Sequence, residues 1–138
     1  MKKAILLSVI FTICSACICR TPEKILKVQF NIDINVFDFT VDTFEESWNK
    51  NGDGVCFIKF KINQVYQKDI DYLVNMGAKP LPISDTTICV THKIQEEYLS
   101  GNHIGYYLYD QEISDPRDFK LFIFDIENKE AVLYYQIL

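Results

Sequence analysis

Apolar and polar residues alternate along much of the chain, and this period-two pattern predicts several β-strands. The longest run spans 28–36, where five apolar residues occupy every second position. Such a run predicts a strand with one buried face. The same pattern predicts strands at 56–62, 106–109, 121–126 and 131–138, and a short hairpin loop joins the last two.

Helical patterns are fewer. Residues 67–76 place Ile70, Leu73 and Val74 on one stripe, and Gly77 follows them. This arrangement predicts a helix that ends at the glycine.

Three other segments have less regular patterns. Phe44 and Trp48 lie four residues apart, which favours a short helical turn or an irregular connection. Two prolines require 78–83 to be extended. The pattern of residues 86–99 is ambiguous, because it favours a strand in the first half and a helix in the second half.

The order of these elements predicts the fold class. Strands are spread along the chain, and no alternation of strand and helix indicates parallel crossovers. We therefore predict an α+β fold, in which an antiparallel sheet of about four or five strands carries one or two helices on one face. Residues 27–138 form this single domain, and residues 17–26 form a tether in which Pro22 discourages regular structure.

The first residues have the organisation of a secretory signal. Lys2 and Lys3 precede an apolar stretch at 4–13, and the small residues Ser15 and Ala16 follow it. A charged region, an apolar region and a small-residue cleavage site in this order are typical of a signal peptide. We therefore predict that residues 1–16 are removed and that a mature chain of 122 residues begins at position 17.

Three cysteines lie at the end of this leader. A bulky isoleucine precedes both Cys14 and Cys19, whereas Ala16 precedes Cys17. The stretch Cys14–Cys17 resembles the lipobox of bacterial lipoproteins, with Cys14 in the position where Leu is usual, and the resemblance covers only the leader. It implies a small Gram-negative lipoprotein that is held on the envelope membrane by lipid at Cys17.

Two alternatives to lipid attachment stay open. One is plain secretion, in which an ordinary signal peptidase cuts after Ala16 and leaves a soluble periplasmic or secreted protein. The other is an uncleaved anchor, although the apolar stretch of sixteen residues at 4–19 is shorter than the ~20 residues that span a bilayer.

The charge balance limits the classes of partner. The formal net charge is −5, and it becomes −7 when Lys2 and Lys3 leave with the leader (12 basic against 19 acidic residues). An acidic chain without a basic cluster has no patch to neutralise phosphates, which argues against nucleic-acid binding. An acidic surface steers basic partners, although keeping a small protein soluble is the commoner role of such charge.

Motifs with metal-binding spacing are incomplete. Asn49, Asn51, Asp53 and Gly54 match the start of an EF-hand loop, but Phe60 stands where a bidentate Glu is needed. We interpret 49–54 as a structural turn, because Asn-Gly and Asp-Gly pairs are common turn formers.

A second set of metal-ligand types depends on an uncertain helix. Cys89, His92 and Glu96 would share a helical face, with His103 as a fourth ligand, but 86–90 favours a strand. No metal and no cofactor is therefore predicted.

The cysteines of the body are interpreted as structural. Cys56 and Cys89 lie within apolar stretches, where each is most simply a small buried hydrophobic residue. A Cys56–Cys89 disulfide is an alternative in an oxidising compartment. Either cysteine could also pair with His92 or His103 as a nucleophile, but apolar surroundings raise a thiol pKa and leave the thiol inert. Because no other catalytic motif is present, we predict that the protein is not an enzyme.

Tyrosines of the C-terminal strands form one half of the candidate binding site. Residues 106–107 and 134–135 are adjacent tyrosine pairs, so one member of each pair should face outward. Leu108 is the better core residue, which should turn Tyr107 and Tyr109 toward solvent. The alternative is a set of cross-strand aromatic pairs that only stabilise the sheet.

Acidic residues form the other half of the site. Four of them follow the tyrosine-bearing strand: Asp110, Glu112, Asp115 and Asp118. A solvated acidic loop is the common interpretation of such a run. A charged rim around an aromatic centre is also typical of compact interfaces, so we predict binding through Tyr107, Tyr109, Asp110 and Glu112.

These observations predict a non-catalytic envelope lipoprotein that binds a protein partner of basic character. Some small lipoproteins are immunity proteins that neutralise a toxin by direct binding, and the comparison rests on class alone. A carbohydrate- or ligand-binding accessory protein and a structural envelope component stay open. A neutralising protein would bind with strong salt dependence, whereas a sugar-binding protein would use exposed Tyr or Trp48 and be insensitive to salt.

Overall fold

One antiparallel sheet organises the part of the chain that the computed structural model describes, residues 20–84 and 97–138. Within these residues the sheet has six strands in the order β1-β2-β6-β5-β4-β3. The strands are β1 (Asp38–Trp48), β2 (Gly54–Gln64), β3 (Lys79–Pro80), β4 (Gly105–Gln111), β5 (Phe119–Asp125) and β6 (Glu130–Ile137). The helices are α1 (Pro22–Phe30), α2 (Gln67–Asn75) and α3 (Glu97–Ser100), with a 3₁₀ turn at Ile34–Val36.

The predicted α+β class with an antiparallel sheet is confirmed, and several elements lie where the sequence predicted them. They are β2, α2, β4 and the β5–β6 hairpin. The predicted strand count of four or five is too low, because β1 was not recognised and β3 is only two residues long.

The strand predicted at 28–36 is wrong. The first three residues of this predicted strand, 28–30, belong to α1. Asn31 ends that helix in the left-handed conformation, with φ of 56°. Asp33 then caps the 3₁₀ turn, because its Oδ1 accepts hydrogen bonds from the backbone and side-chain amides of Asn35. Two of the polar residues that resembled the outer face of a strand, Asn31 and Asp33, are therefore capping residues.

The predicted tether 17–26 overlaps α1 and is too long at its C-terminal end. Ile25 and Leu26 are 4% and 0% exposed, so this helix is part of the domain. Pro22 starts the helix and does not disrupt it. Proline at the first helical position lacks only an amide hydrogen that has no partner there anyway, and Thr21 caps the helix by accepting from the amide of Lys24.

The helical turn predicted around 44–48 is also wrong, because this segment is the second half of β1. The register between β1 and β2 shifts between Val41 and Thr43, as at a β-bulge. A bulge places one extra residue in the strand and interrupts the period of two. The interruption, together with the exposure of an edge strand, hides β1 from the alternation pattern.

Both faces of the sheet are covered. The helix-side core lies between the sheet and helices α1 and α2, and Leu26, Phe60 and Phe122 are at its centre. The opposite core lies on the other face, where Leu81, Ile83 and Tyr98 pack against β4, β5 and β6. β5 and β6 are therefore buried on both sides, whereas β2 is fully buried only on the side of the helices.

Residues 1–19 and 85–96 lie outside the described residues. Of the ambiguous segment 86–99, the structure therefore describes only 97–99, which belong to α3. The predictions for Cys17, Cys89, His92 and Glu96 concern residues outside the described ranges. Among the helices of the described ranges, none is long and apolar enough to cross a membrane.

Candidate functional site

A surface pocket of about 180 Å³ lies at the end of the sheet where β4 and β6 end and β5 begins. We call it the acidic pocket, because three carboxylates line it. It is lined by Gln29, Asp110, Glu112, Asp118, Phe119, Lys120, Tyr135, Gln136 and Ile137. The structure thus brings together Asp110 and Glu112, which the sequence proposed as binding residues, with Asp118 from the same acidic run.

The carboxylates of the acidic pocket differ in their pairing. Asp110 is neutralised in part by Lys120, whose Nζ lies 2.9 Å from its Oδ2. The same Nζ donates to the carbonyl oxygen of Gln29, near the end of α1, at 3.2 Å. Glu112 and Asp118 have no lysine or arginine within ion-pair distance among the described residues. Their charge is open to a cation that enters the pocket.

The loop between β4 and β5 holds two of these carboxylates in position. Its ends are joined by a hydrogen bond from the amide of Glu112 to the carbonyl oxygen of Asp118, at 2.9 Å. Asp115 turns the chain, since its carboxylate accepts from the backbone and side chain of Arg117. These bonds hold the pKa of Asp115 at about 2. Asp118 in turn accepts from the amide of Leu138 at 2.7 Å, which fixes the end of β6 beside the pocket.

The tyrosines predicted as the aromatic centre do not face solvent as expected. Tyr107 is 3% exposed within the opposite core, and Tyr109 is half-buried, with its ring 6.1 Å from that of Phe119. Tyr134 and Tyr135 are both buried. The expectation assumed a sheet with one covered face. Because both faces are covered, alternation along a strand does not distinguish inward from outward positions.

Arg20 joins the N-terminus of the domain to the wall of the acidic pocket. Its guanidinium lies 4.6 Å from the centre of the Trp48 ring and donates to the hydroxyl oxygen of Tyr135. Its Nε lies 3.4 Å from Oε1 of Glu46. The Trp48 and Tyr135 rings are 5.5 Å apart, so one aromatic pair supports both Arg20 and the pocket wall.

Cys56 is a buried thiol on the same face of the sheet. It is 0% exposed and forms no disulfide. Burial, and then the nearby negative charge of Glu46, raises its pKa to about 12. Burial likewise raises the pKa of Tyr135 to about 12. The interpretation of Cys56 as a small buried hydrophobic residue is therefore confirmed.

The raised pKa of Cys56 predicts a pH dependence of stability. The unfolded thiol ionises near its ordinary value of 9.0, whereas the folded thiol keeps its proton until about pH 12. The contribution of this thiol to the free energy of unfolding is therefore complete below pH 9. It is lost between pH 9 and 12, at up to about 1.4 kcal/mol per pH unit. In urea titrations at several pH values, Cys56→Ala should lose stability less steeply than the wild type over this range. Parallel curves for the two proteins would contradict the burial of this thiol.

His103 belongs to a polar cluster at the opposite end of the sheet. Its Nδ1 lies 3.1 Å from Oδ2 of Asp125, a carboxylate that is 0% exposed. The backbone and side-chain amides of Asn128 donate to the same carboxylate at 2.9 and 2.8 Å. These bonds close the turn between β5 and β6, which gives Asp125 a structural role.

The sheet register separates His103 from Cys56. Cys56 pairs with Tyr135 on β6, whereas Asp125 pairs with Glu130 on the same strand. Five residues of strand correspond to about 16 Å. A nucleophilic pair of Cys56 and His103 is therefore not formed.

The segment 49–54 is a turn, as interpreted. Oδ1 of Asn49 accepts from the amides of Asn51 and Asp53, and its Nδ2 donates to Oδ2 of Asp53. Gly52 has φ of 91°, which the turn requires. Asn49 Oδ1 and Asp53 Oδ2, two of the oxygens that resembled calcium ligands, take part in these hydrogen bonds of the β1–β2 hairpin.

No protein-family model, curated protein or solved structure matches this chain. Function is therefore argued from the site itself.

Sequence reasoning missed several residues of the acidic pocket. Gln136 lies on a predicted strand and Lys120 immediately precedes another, but the antiparallel pairing that sets Lys120 beside Asp110 depends on the order of strands. Gln29 was placed on a strand that does not form. The signal that could have found its helix is the Thr-Pro-Glu sequence at 21–23, which is typical of a helix N-terminus.

Proposed function

We propose that the protein is a non-catalytic envelope lipoprotein that binds a basic partner protein, and that the acidic pocket receives a cationic side chain of that partner. The observation that carries the proposal is a concave site with two carboxylates, Glu112 and Asp118, that have no lysine or arginine within ion-pair distance among the described residues. Asp118 is half-buried, and partial desolvation strengthens its charge-assisted hydrogen bonds to a cation, whereas Glu112 is exposed and adds its charge at the surface.

The walls of the acidic pocket suit a long basic side chain. Ile137, which is 41% exposed, supplies apolar surface for the methylene groups of a lysine or arginine, while the carboxylates lie around its charged end. Asp110 lies at the rim with a side chain that is 63% exposed. An exposed acidic rim increases the association rate of a basic partner and makes binding sensitive to salt.

Lipid at Cys17 would hold the acidic pocket close to the membrane. Cys17 lies three residues before Arg20, a distance of at most about 10 Å along an extended chain. Arg20 is held against Tyr135, which also lines the pocket. The corrected start of the domain thus shortens the tether and favours a partner that is met at the bilayer surface. The intact mass of the membrane-bound protein tests the lipid, and an unmodified soluble N-terminus would exclude it.

The partner proposal predicts a loss of binding when the pocket loses its charge. Asp110→Asn, Glu112→Gln and Asp118→Asn together remove three negative charges and keep the shape of each side chain. Capture of a partner from the envelope of the native cells should fall by at least about tenfold at low salt, because a close charge pair contributes more than ~1.4 kcal/mol to affinity. Wild-type capture should itself decrease as salt is raised.

A matched variant controls for net charge. Glu23→Gln, Asp71→Asn and Glu127→Gln change the charge by the same amount at exposed positions outside the pocket. Equal loss of capture by both triple variants would show that only the overall charge matters, and no loss by the pocket variant would refute the proposed site.

A further inference from the structure

The outer edge of β1 is a second surface that the acidic pocket does not use. β1 is eleven residues long, and it pairs with β2 from Asp38 to Trp48. Within the described residues, no strand lies on its other side. An edge strand leaves alternate backbone amides and carbonyls open to pairing with another extended chain.

Two apolar residues form a ledge along this edge. Val41 and Phe44 are each 38% exposed, although the register sets them beside fully buried core residues, Phe60 and Ile58. The helix-side core thus continues to the edge of the sheet and ends there partly uncovered. A strand added to β1 would cover the ledge with alternate side chains of its own.

The charge of β1 selects the occupant. The strand carries Asp38, Asp42, Glu45 and Glu46 and no lysine or arginine, although Arg20, which precedes α1, pairs with Glu46. Pairing with a second copy of β1 would bring carboxylates toward carboxylates with no base in either strand, which is unfavourable. A basic strand would meet complementary charge.

We infer that the edge of β1 accepts an extended segment of a partner protein, in which basic and apolar side chains alternate, as an added strand. Backbone hydrogen bonds supply the affinity of such β-augmentation, and the side chains supply the specificity. The apolar positions cover Val41 and Phe44, and the basic positions approach the carboxylates of β1. This inference stands on the edge strand and is independent of the acidic pocket.

Synthetic peptides test the inference directly. The probe is a peptide of about eight residues in which valine and lysine alternate, and the comparison peptide alternates valine and glutamate. Hydrogen exchange of the full mature protein should show new protection of amides in 38–48 with the first peptide and none with the second. The fluorescence of Trp48, the single tryptophan of the chain, should change with the first peptide only.

Matched variants locate the effect. Val41→Lys with Phe44→Lys should weaken binding of the valine–lysine peptide by at least about tenfold, because both substitutions remove the ledge and add repulsion. Val28→Lys with Ile104→Lys adds the same charge at exposed apolar positions elsewhere and should leave the affinity nearly unchanged. Thermal melts establish that both variants fold.

Three results would overturn the inference. Protection in 110–118 without protection in 38–48 would assign the peptide to the acidic pocket. Equal protection of the amides in 38–48 by both peptides would show that charge does not select the added strand. Protection of 38–48 in the absence of peptide, together with a dimer in sedimentation, would assign the edge to a second copy of the chain.

Discussion

Replacing Leu26 by alanine lowers the free energy of unfolding by about 2–5 kcal/mol, the range observed when a fully buried leucine is truncated. Leu26 is 0% exposed in the helix-side core, although it lies within the ten residues that the sequence assigns to a tether. A residue in a tether would contribute nothing measurable. Urea unfolding of the wild-type protein and of Leu26→Ala, followed by far-UV circular dichroism, measures the difference.

Val28→Ala is the matched control for this prediction. Val28 is 77% exposed on α1, and its truncation should change stability by less than about 0.5 kcal/mol. The strand expected at 28–36 buries Val28 and leaves Leu26 free, so it predicts the opposite order of effects. A larger loss for Val28→Ala than for Leu26→Ala would contradict the helix.

Replacing Asp125 by alanine should cost about 3 kcal/mol, because it removes the three hydrogen bonds that join this carboxylate to Asn128 and His103. The carboxylate is 0% exposed and holds the turn of the β5–β6 hairpin together. Thermal or urea unfolding measures the loss. The same measurement on Glu127→Ala, an exposed acid in the same turn, should show a change within about 0.5 kcal/mol. Equal stabilities of Asp125→Ala and the wild type would mean that this cluster does not stabilise the hairpin.

The sequence predicted the central strands because their apolar residues are continuous or strictly alternating. β5 and β6 are covered on both faces and most of their residues are buried, whereas β2 buries every second residue from Cys56 to Ile62. Residues 67–76 were equally clear, since their apolar stripe, an acidic first turn and a glycine stop agree with one another.

The N-terminal third of the domain was predicted incorrectly because polar capping residues imitate an alternating strand. Asn31, Asp33 and Asn35 occur at every second position, yet Asn31 ends a helix and Asp33 caps a turn. Thr21 and Pro22 carried the opposing signal for a helix start. The period of two over nine residues led to the prediction of a strand, although the helix-start signal agrees with the helix that forms.

The acidic half of the candidate site could be predicted, and the aromatic half could not. Asp110 and Glu112 follow a recognisable strand, so their position at the end of the sheet follows from the chain order. The exposure of Tyr107 depends on Leu81, Ile83 and Tyr98, which cover the opposite face of the sheet. Burial by segments distant in the sequence cannot be predicted from the alternation of residues within the tyrosine-bearing strand itself.

Site-specific photocrosslinking from position 137 tests the proposed partner site most directly. Ile137 lines the acidic pocket and is 41% exposed, so a photoreactive phenylalanine analogue fits there, and Leu99, which is 38% exposed outside the pocket, provides the matched position. In the native cells, position 137 should give a discrete adduct with a basic protein, and that adduct should disappear when Glu112→Gln and Asp118→Asn are added. An adduct that persists without these carboxylates, or that forms equally from position 99, would contradict binding at the acidic pocket.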